Sequence, residues 1–321
     1  MISINQRAAA IAHQMAEESE ALGLMVVILS NGCTVIDAGV NVSGSLEAGR
    51  LFAEACLGGL GQVSMTRLNF EDPNHSAFWL PSVSVSVSYP HIACMAGQYA
   101  GWAIKGEKFF AMGSGPARAL YAGEEIFAKL DYKDQADVAV LLLEGRQLPG
   151  EDVANNIASK CGVSASSLTL IIAPTASLVG SMQIAARVVE TGLHKLFELG
   201  FDIRKVVSGY GVCPLATIAK DDLRAIGRTN DGVLYGSQVY YTVNTSDEEL
   251  EKMVPQVPSS ASRDYGTPFY DLFQRYGGDF YKIDPLLFSP AQVIFNNLAS
   301  GHCFTAGQLN SEVLYKSLLA G

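Results

Sequence analysis

Two side chains three residues apart carry the first chemical suggestion in this sequence: Arg187 and Glu190, within Ala186-Arg-Val-Val-Glu-Thr-Gly192. Residues at i and i+3 share a helix face. A carboxylate beside a fixed positive charge is one way to build a tuned general base. It is also how an ordinary surface ion pair looks, worth roughly a few tenths of a kcal/mol. His194 falls on the same stripe, and by periodicity alone a solvated face is the favoured reading of all three. A second candidate is Gly113-Ser-Gly-Pro-Ala-Arg118, where amides at a helix start, Ser114 and Arg118 would suit an anion. The same residues also suit a plain tight turn with a solvated arginine. Third comes the polar loop from Ser259 to Pro268, carrying Arg263, Asp264 and Tyr265. Loops of this composition line sites, or are merely surface.

The elements that must hold these residues can be read from pattern. Ile4 to Leu22 has helical spacing, and Met25 to Leu29 is a buried strand. Asn31-Gly32 marks a hairpin turn into Thr34-Val-Ile-Asp37. A helix follows from about Leu46 to Leu57. Between Pro81 and Pro90, Val83, Val85 and Val87 alternate with Ser84, Ser86 and Ser88, which predicts a strand with one buried face. Proline after Gly-Ser-Gly predicts a helix running to about Leu130. Val138 to Leu143 and Leu168 to Ile172 read as strands with a capped helix between them, and a further helix follows Ser181. Asp221 to Ile226 reads as helical, then Thr229-Asn-Asp-Gly232 as a turn into a β-rich run from Val233 to Val243. Hairpins mixed with helix crossovers favour a mixed α+β form of α/β architecture over a doubly wound parallel sheet.

Composition excludes several classes. The 321 residues are 49% hydrophobic and 17% charged, enough for a substantial core and for two domains, here divided as 1–150 and 151–321 or else discontinuous in sequence. A net charge of −10 without basic runs argues against nucleic acid as a partner. The apolar runs are strand-sized, so no membrane span is expected, and the N-terminus begins an amphipathic helix rather than a signal peptide. That combination suits a cytoplasmic protein. The six cysteines form no Cys-x-x-Cys pair and the five histidines no His-Glu-x-x-His, so no metal is expected. Gly58-Gly-Leu-Gly61 follows a helix rather than a strand and reads as a structural turn, not a dinucleotide loop.

Longer segments go further. Asn31-Gly-Cys-Thr-Val-Ile-Asp-Ala-Gly-Val-Asn-Val42, Tyr99-Ala-Gly-Trp102, Ala111-Met-Gly-Ser-Gly-Pro-Ala-Arg-Ala119 and Ala173-Pro-Thr-Ala-Ser-Leu-Val-Gly180 resemble the methenyltetrahydromethanopterin cyclohydrolase family. So do Ala186-Arg-Val-Val-Glu-Thr-Gly192, Lys220-Asp-Asp-Leu223, Gly227-Arg-Thr-Asn-Asp231, Ser259-Ser-Ala-Ser-Arg-Asp-Tyr-Gly266 and Phe280-Tyr-Lys-Ile-Asp-Pro285. The resemblance runs from about Ile4 to the C-terminus. It implies two α/β domains with an interdomain substrate pocket, a homotrimer, and a cofactor-free hydrolase of one-carbon metabolism acting on a cyclic amidine C–N bond. Glu190 and Arg187 would then carry catalysis, and Gly97, Gln98 and Tyr99 would line the reacting carbon. Ser114 and Arg118 would bind a tail anion of the pterin, and Arg263 would join the substrate-binding residues. Two positions depart from the family pattern: Gly97 replaces a small hydroxyl or methyl side chain, and Ser88 an Asp. Rival readings are a pterin-dependent formyl-transfer enzyme, which needs a second acceptor site and a different nucleophile, and a noncatalytic pterin-binding protein.

Overall fold

The computed structural model describes residues 2–71, 76–279 and 282–320. Phe280 and Tyr281 of the last motif lie outside the described residues. The chain divides into two compact units, Met1–Gln62 with His91–Gln183, and Val63–Pro90 with Ile184–Gly321. Each owns a six-stranded mixed sheet, as the mixed α+β reading expected.

The first sheet has the order β1-β2-β8-β7-β6-β5. Its strands are β1 (Met25–Ile28), β2 (Thr34–Asp37), β5 (Trp102–Lys105), β6 (Phe110–Ser114), β7 (Ala139–Glu144) and β8 (Leu168–Ala173). The three middle strands β2, β8 and β7 run parallel, and the pairs at both ends are antiparallel. Both faces of the centre are covered. Val140 and Leu142 pack with the helices Ile4–Glu17 and Leu46–Cys56, while Leu141 and Leu143 pack with the helix Glu151–Cys161. Side chains alternate between faces along a strand, so burial on both sides requires the unbroken apolar run that β7 carries. The cut expected near residue 150 is corrected here. β8 pairs with both β2 and β7 at the middle of this sheet, so residues 151–183 complete the first unit.

The second sheet has the order β12-β11-β10-β9-β4-β3. It comprises β3 (Gly61–Phe70), β4 (Phe78–Ser88), β9 (Val206–Pro214), β10 (Gln238–Val243), β11 (Gln292–Asn297) and β12 (Cys303–Gly307). Val83, Val85 and Val87 are buried and Ser86 and Ser88 exposed, as the alternation required. The helix Val188–Glu198 lies close on this sheet because Gly209 and Gly211 present no side chain. A Cβ at either would come within 2.5 Å of Val189 or 2.7 Å of Val188.

Four helix expectations change. The helix expected from Ile4 to Leu22 breaks at Glu18 into Ile4–Glu17 and Ser19–Leu22. The helix expected to reach Leu130 stops at Tyr121, where Ala122 turns left-handed at φ 48, and resumes only at Phe127–Leu130. The expected turn Thr229–Gly232 lies inside a helix, Asp222–Gly236. Its polar side chains bond to their own helix, Thr229 Oγ1 to the Ala225 carbonyl and Asn230 Nδ2 to that of Ile226, and its glycines admit Tyr270, Pro214 and Leu314. Tertiary packing overrides turn composition. Finally, the run beyond Ser181 is two helices, Leu178–Ala185 and Val188–Glu198. At the break the Arg187 amide bonds to the Ile184 carbonyl at 3.0 Å, a tighter turn than an α-helix makes.

Gly180 lies in the first turn of the first of those helices, and a Cβ there would run into the carbonyl oxygens of Pro174 and Thr175. Gly180→Ala is expected to cost about 2 kcal/mol or more, read as a lower urea midpoint. An unchanged midpoint would show that the Pro174–Ser177 turn yields freely.

Candidate active site

Arg187 and Glu190 sit at the start of the helix Val188–Glu198, not along its middle. Arg187 is the residue before the first helical turn (φ −80, ψ 1), and Glu190 lies within that turn. Nη1 of Arg187 is 4.0 Å from Oε2 of Glu190. The solvated-face reading fails, because the two side chains are only 12% and 8% exposed. At 4.0 Å the pair is a charge contact rather than a close hydrogen bond. The positive end of the helix dipole and the guanidinium thus act together on one sheltered carboxylate.

The support beneath them is rigid. Val188 and Val189 are buried on β9, and Tyr241 on β10 donates its hydroxyl to the Val189 carbonyl at 2.7 Å. Thr191 donates through Oγ1 to the Arg187 carbonyl at 2.9 Å, tying the break to the helix. His194 pairs instead with Glu198 at 3.5 Å. Lys195 is buried and donates to the Leu286 carbonyl, which pins the turn Pro285–Leu287 to the same helix. Burial draws its ammonium down to about 8, against the opposing charge of Asp284.

In the first unit, Gly97, Gln98, Tyr99, Ser114 and Arg118 gather around one guanidinium. His91–Gln98 is a π-helix, a form frequent at functional sites. Gly97 packs so closely that a Cβ would be 2.7 Å from the Cys56 carbonyl oxygen, which accounts for the missing side chain at this position. Gln98 is buried and Tyr99 half-buried.

Arg118 is 0% exposed, and it forms two hydrogen bonds to Glu124, at 2.8 and 2.7 Å. Its Nη1 also donates to the carbonyls of Met95, Ala96 and Gly97. The Gly115 amide, which an anion would need, donates to the Gly97 carbonyl at 2.8 Å, and Pro116 has no amide to offer. Ser114 is buried with Oγ 3.5 Å from the Cys56 sulfur. This geometry gives no support to the tail-anion role for Ser114 and Arg118, because the guanidinium is already paired with Glu124 and enclosed by carbonyl oxygens.

Arg263 lies exposed on a turn of the second unit. Its amide donates to Asp284, which also accepts from Ser262 Oγ at 2.6 Å.

Several polar residues went unread in the sequence. Glu144 ends β7 at the carboxyl edge of the parallel strands, accepting from Thr175 Oγ1 at 2.5 Å and Gln183 Nε2 at 3.2 Å. On the far side of β8, Asp37 ends β2 and accepts from the amides of Gly39, Val40 and Asn41. Carboxyl ends of parallel strands are where open α/β sheets bind ligands, and a carboxylate closing an apolar strand was the available signal. Asp231 is fully buried, holding the Phe269 amide at 2.8 Å and Ser317 Oγ at 2.5 Å. Among the described residues no group of three or more His, Cys, Asp or Glu side chains could hold a metal ion.

A family model described as "Cyclohydrolase (MCH)" matches residues 3–318. Methenyltetrahydromethanopterin cyclohydrolase of Methanococcoides burtonii is 44% identical over 319 residues, covering 99% of this chain and 98% of that protein. The proteins of the same name from Methanocaldococcus jannaschii and Methanothermobacter marburgensis are 46% and 45% identical over 321 and 320 residues, each covering 99% of this chain, and 98% and 99% of their own lengths. With the match running from end to end, the chain belongs to the methenyltetrahydromethanopterin cyclohydrolase family.

Proposed function

We propose that this protein reversibly hydrolyses 5,10-methenyl-tetrahydromethanopterin to the N5-formyl form, with Glu190 as the general base. The observation that carries the reading is a sheltered carboxylate, set at a helix start beside a guanidinium, in a chain that matches the family throughout.

The chemistry asks little of the protein. In the substrate one carbon lies between N5 and N10, which share a positive charge, so it is already electrophilic and the reaction needs no cofactor. Glu190 takes a proton from water as the oxygen attacks that carbon. Arg187 stabilises the hydroxide-like oxygen and the carboxylate beside it. The protonated Glu190 then delivers its proton to N10 as the C–N10 bond breaks. Loss of the remaining hydroxyl proton leaves the formyl group on N5. One water is consumed and one proton released overall, which balances the loss of the cation's charge. Gln98 and Tyr99 are assigned to the surroundings of the reacting carbon, and Arg263 to the substrate. A cytoplasmic homotrimer belongs to the same reading.

Purified protein mixed with methenyl-tetrahydromethanopterin alone is expected to bleach the methenyl absorbance faster than buffer does. A formyl-transfer enzyme would require an added acceptor, and a carrier would bind without bleaching. Either outcome would overturn the proposal.

A further inference from the structure

We infer that Arg118 and Glu124 form a positioning pair, which caps the end of the π-helix His91–Gln98 and thereby sets the Gln98–Tyr99 segment for the reaction. The inference rests on the reading of Gln98 and Tyr99 as neighbours of the reacting carbon. Its geometry is independent of that reading. A helix leaves its last carbonyls without intrahelical donors. Here three successive ones, those of Met95, Ala96 and Gly97, converge on Nη1 of Arg118 at 3.1, 3.3 and 2.9 Å. The rest of the fork, Nε and Nη2, is held by the two oxygens of Glu124. The guanidinium carbon also lies 5.2 Å from the centre of the Tyr99 ring, within the range of a cation–π contact.

One planar group thus fixes both the backbone before Gln98 and the ring after it. Only a guanidinium has donors enough, in a rigid fork, for a bidentate carboxylate and a row of carbonyls together. A buried ion pair is weak evidence for stability as such. What this pair specifies is the direction in which the helix ends. Glu124 supplies the countercharge and orients the fork, so it acts through Arg118 and not on the substrate.

The test measures kcat, KM and thermal midpoint for Arg118→Lys and Glu124→Gln beside the wild type. Lysine keeps the charge but cannot form the fork, and glutamine keeps the size but not the countercharge. Each is expected to lower kcat by about 10- to 100-fold, the cost of a small misplacement near the reacting atoms, with a smaller change in KM. A purely structural role would instead lower the thermal midpoint and leave kcat per folded molecule at the wild-type level. That result in Glu124→Gln, which should fold even where Arg118→Lys does not, overturns the inference. Absence of turnover in the wild type removes the cyclohydrolase reading, and the role of the pair with it.

Discussion

Glu190→Gln is expected to leave the fold and pterin binding in place while lowering turnover by about a hundredfold to ten-thousandfold, the usual contribution of a positioned general base. Glutamine preserves the volume and polarity of a side chain that is 8% exposed, so packing on β9 and β10 should not change. It removes the one property the proposal requires, a carboxylate able to take a proton from water and return it to N10. The helix start and Arg187 remain, so the electrostatic welcome for a negative oxygen persists and some residual rate is expected. Rates are read from loss of the methenyl absorbance, and binding from titration of the same chromophore under conditions where turnover is slow. Near-wild-type hydrolysis with unchanged binding would remove Glu190 from the role of base, leaving positioned water and Arg187 to account for the rate.

The fold was legible where one rule decided it. Alternating valines and serines announced β4, and an unbroken apolar run announced β7 at the centre of a covered sheet. The helix Asp222–Gly236 was not legible, since Thr229, Asn230 and Gly232 are turn residues by composition. They stay helical because Asp231 between them is bonded to the Phe269 amide and Ser317, partners 38 and 86 residues away along the chain. The candidate pair behaved similarly. Spacing put Arg187 and Glu190 together but could not tell a sheltered helix start from a solvated face, because the break at Arg187 leaves no mark in the periodicity. A turn followed by arginine resembles an anion cradle, and only the fold brings Glu124 and three carbonyls around the guanidinium of Arg118. Glycines, alternation and apolar runs are local signals, whereas the partner of a buried charge is chosen by tertiary structure.

Asp231 supplies the second large expectation, one of stability rather than rate. Burial pushes its carboxyl up to about 7, although hydrogen bonds from Ser317 and the Phe269 amide pull the other way. In the unfolded chain the same group titrates near 3.9, as free aspartates do. Between those values the folded protein holds the proton more tightly than the unfolded one, so stability must fall as pH rises through this window. The protonated carboxyl contributes fully below about pH 4, and its contribution is lost by the time the folded group ionises near 7. A separation of about three units corresponds to about 4 kcal/mol at most. Asp231→Asn cannot ionise, yet its amide can accept from Phe269 N–H and donate to Ser317 Oγ. The stability of the variant relative to the wild type is therefore expected to rise between pH 5 and pH 8, by about 2 to 3 kcal/mol. Urea unfolding at the two pH values reads the difference directly. Wild-type and variant midpoints that shift in parallel with pH would mean that Asp231 stays ionised in the fold, its charge balanced by the Phe269 amide and Ser317 alone.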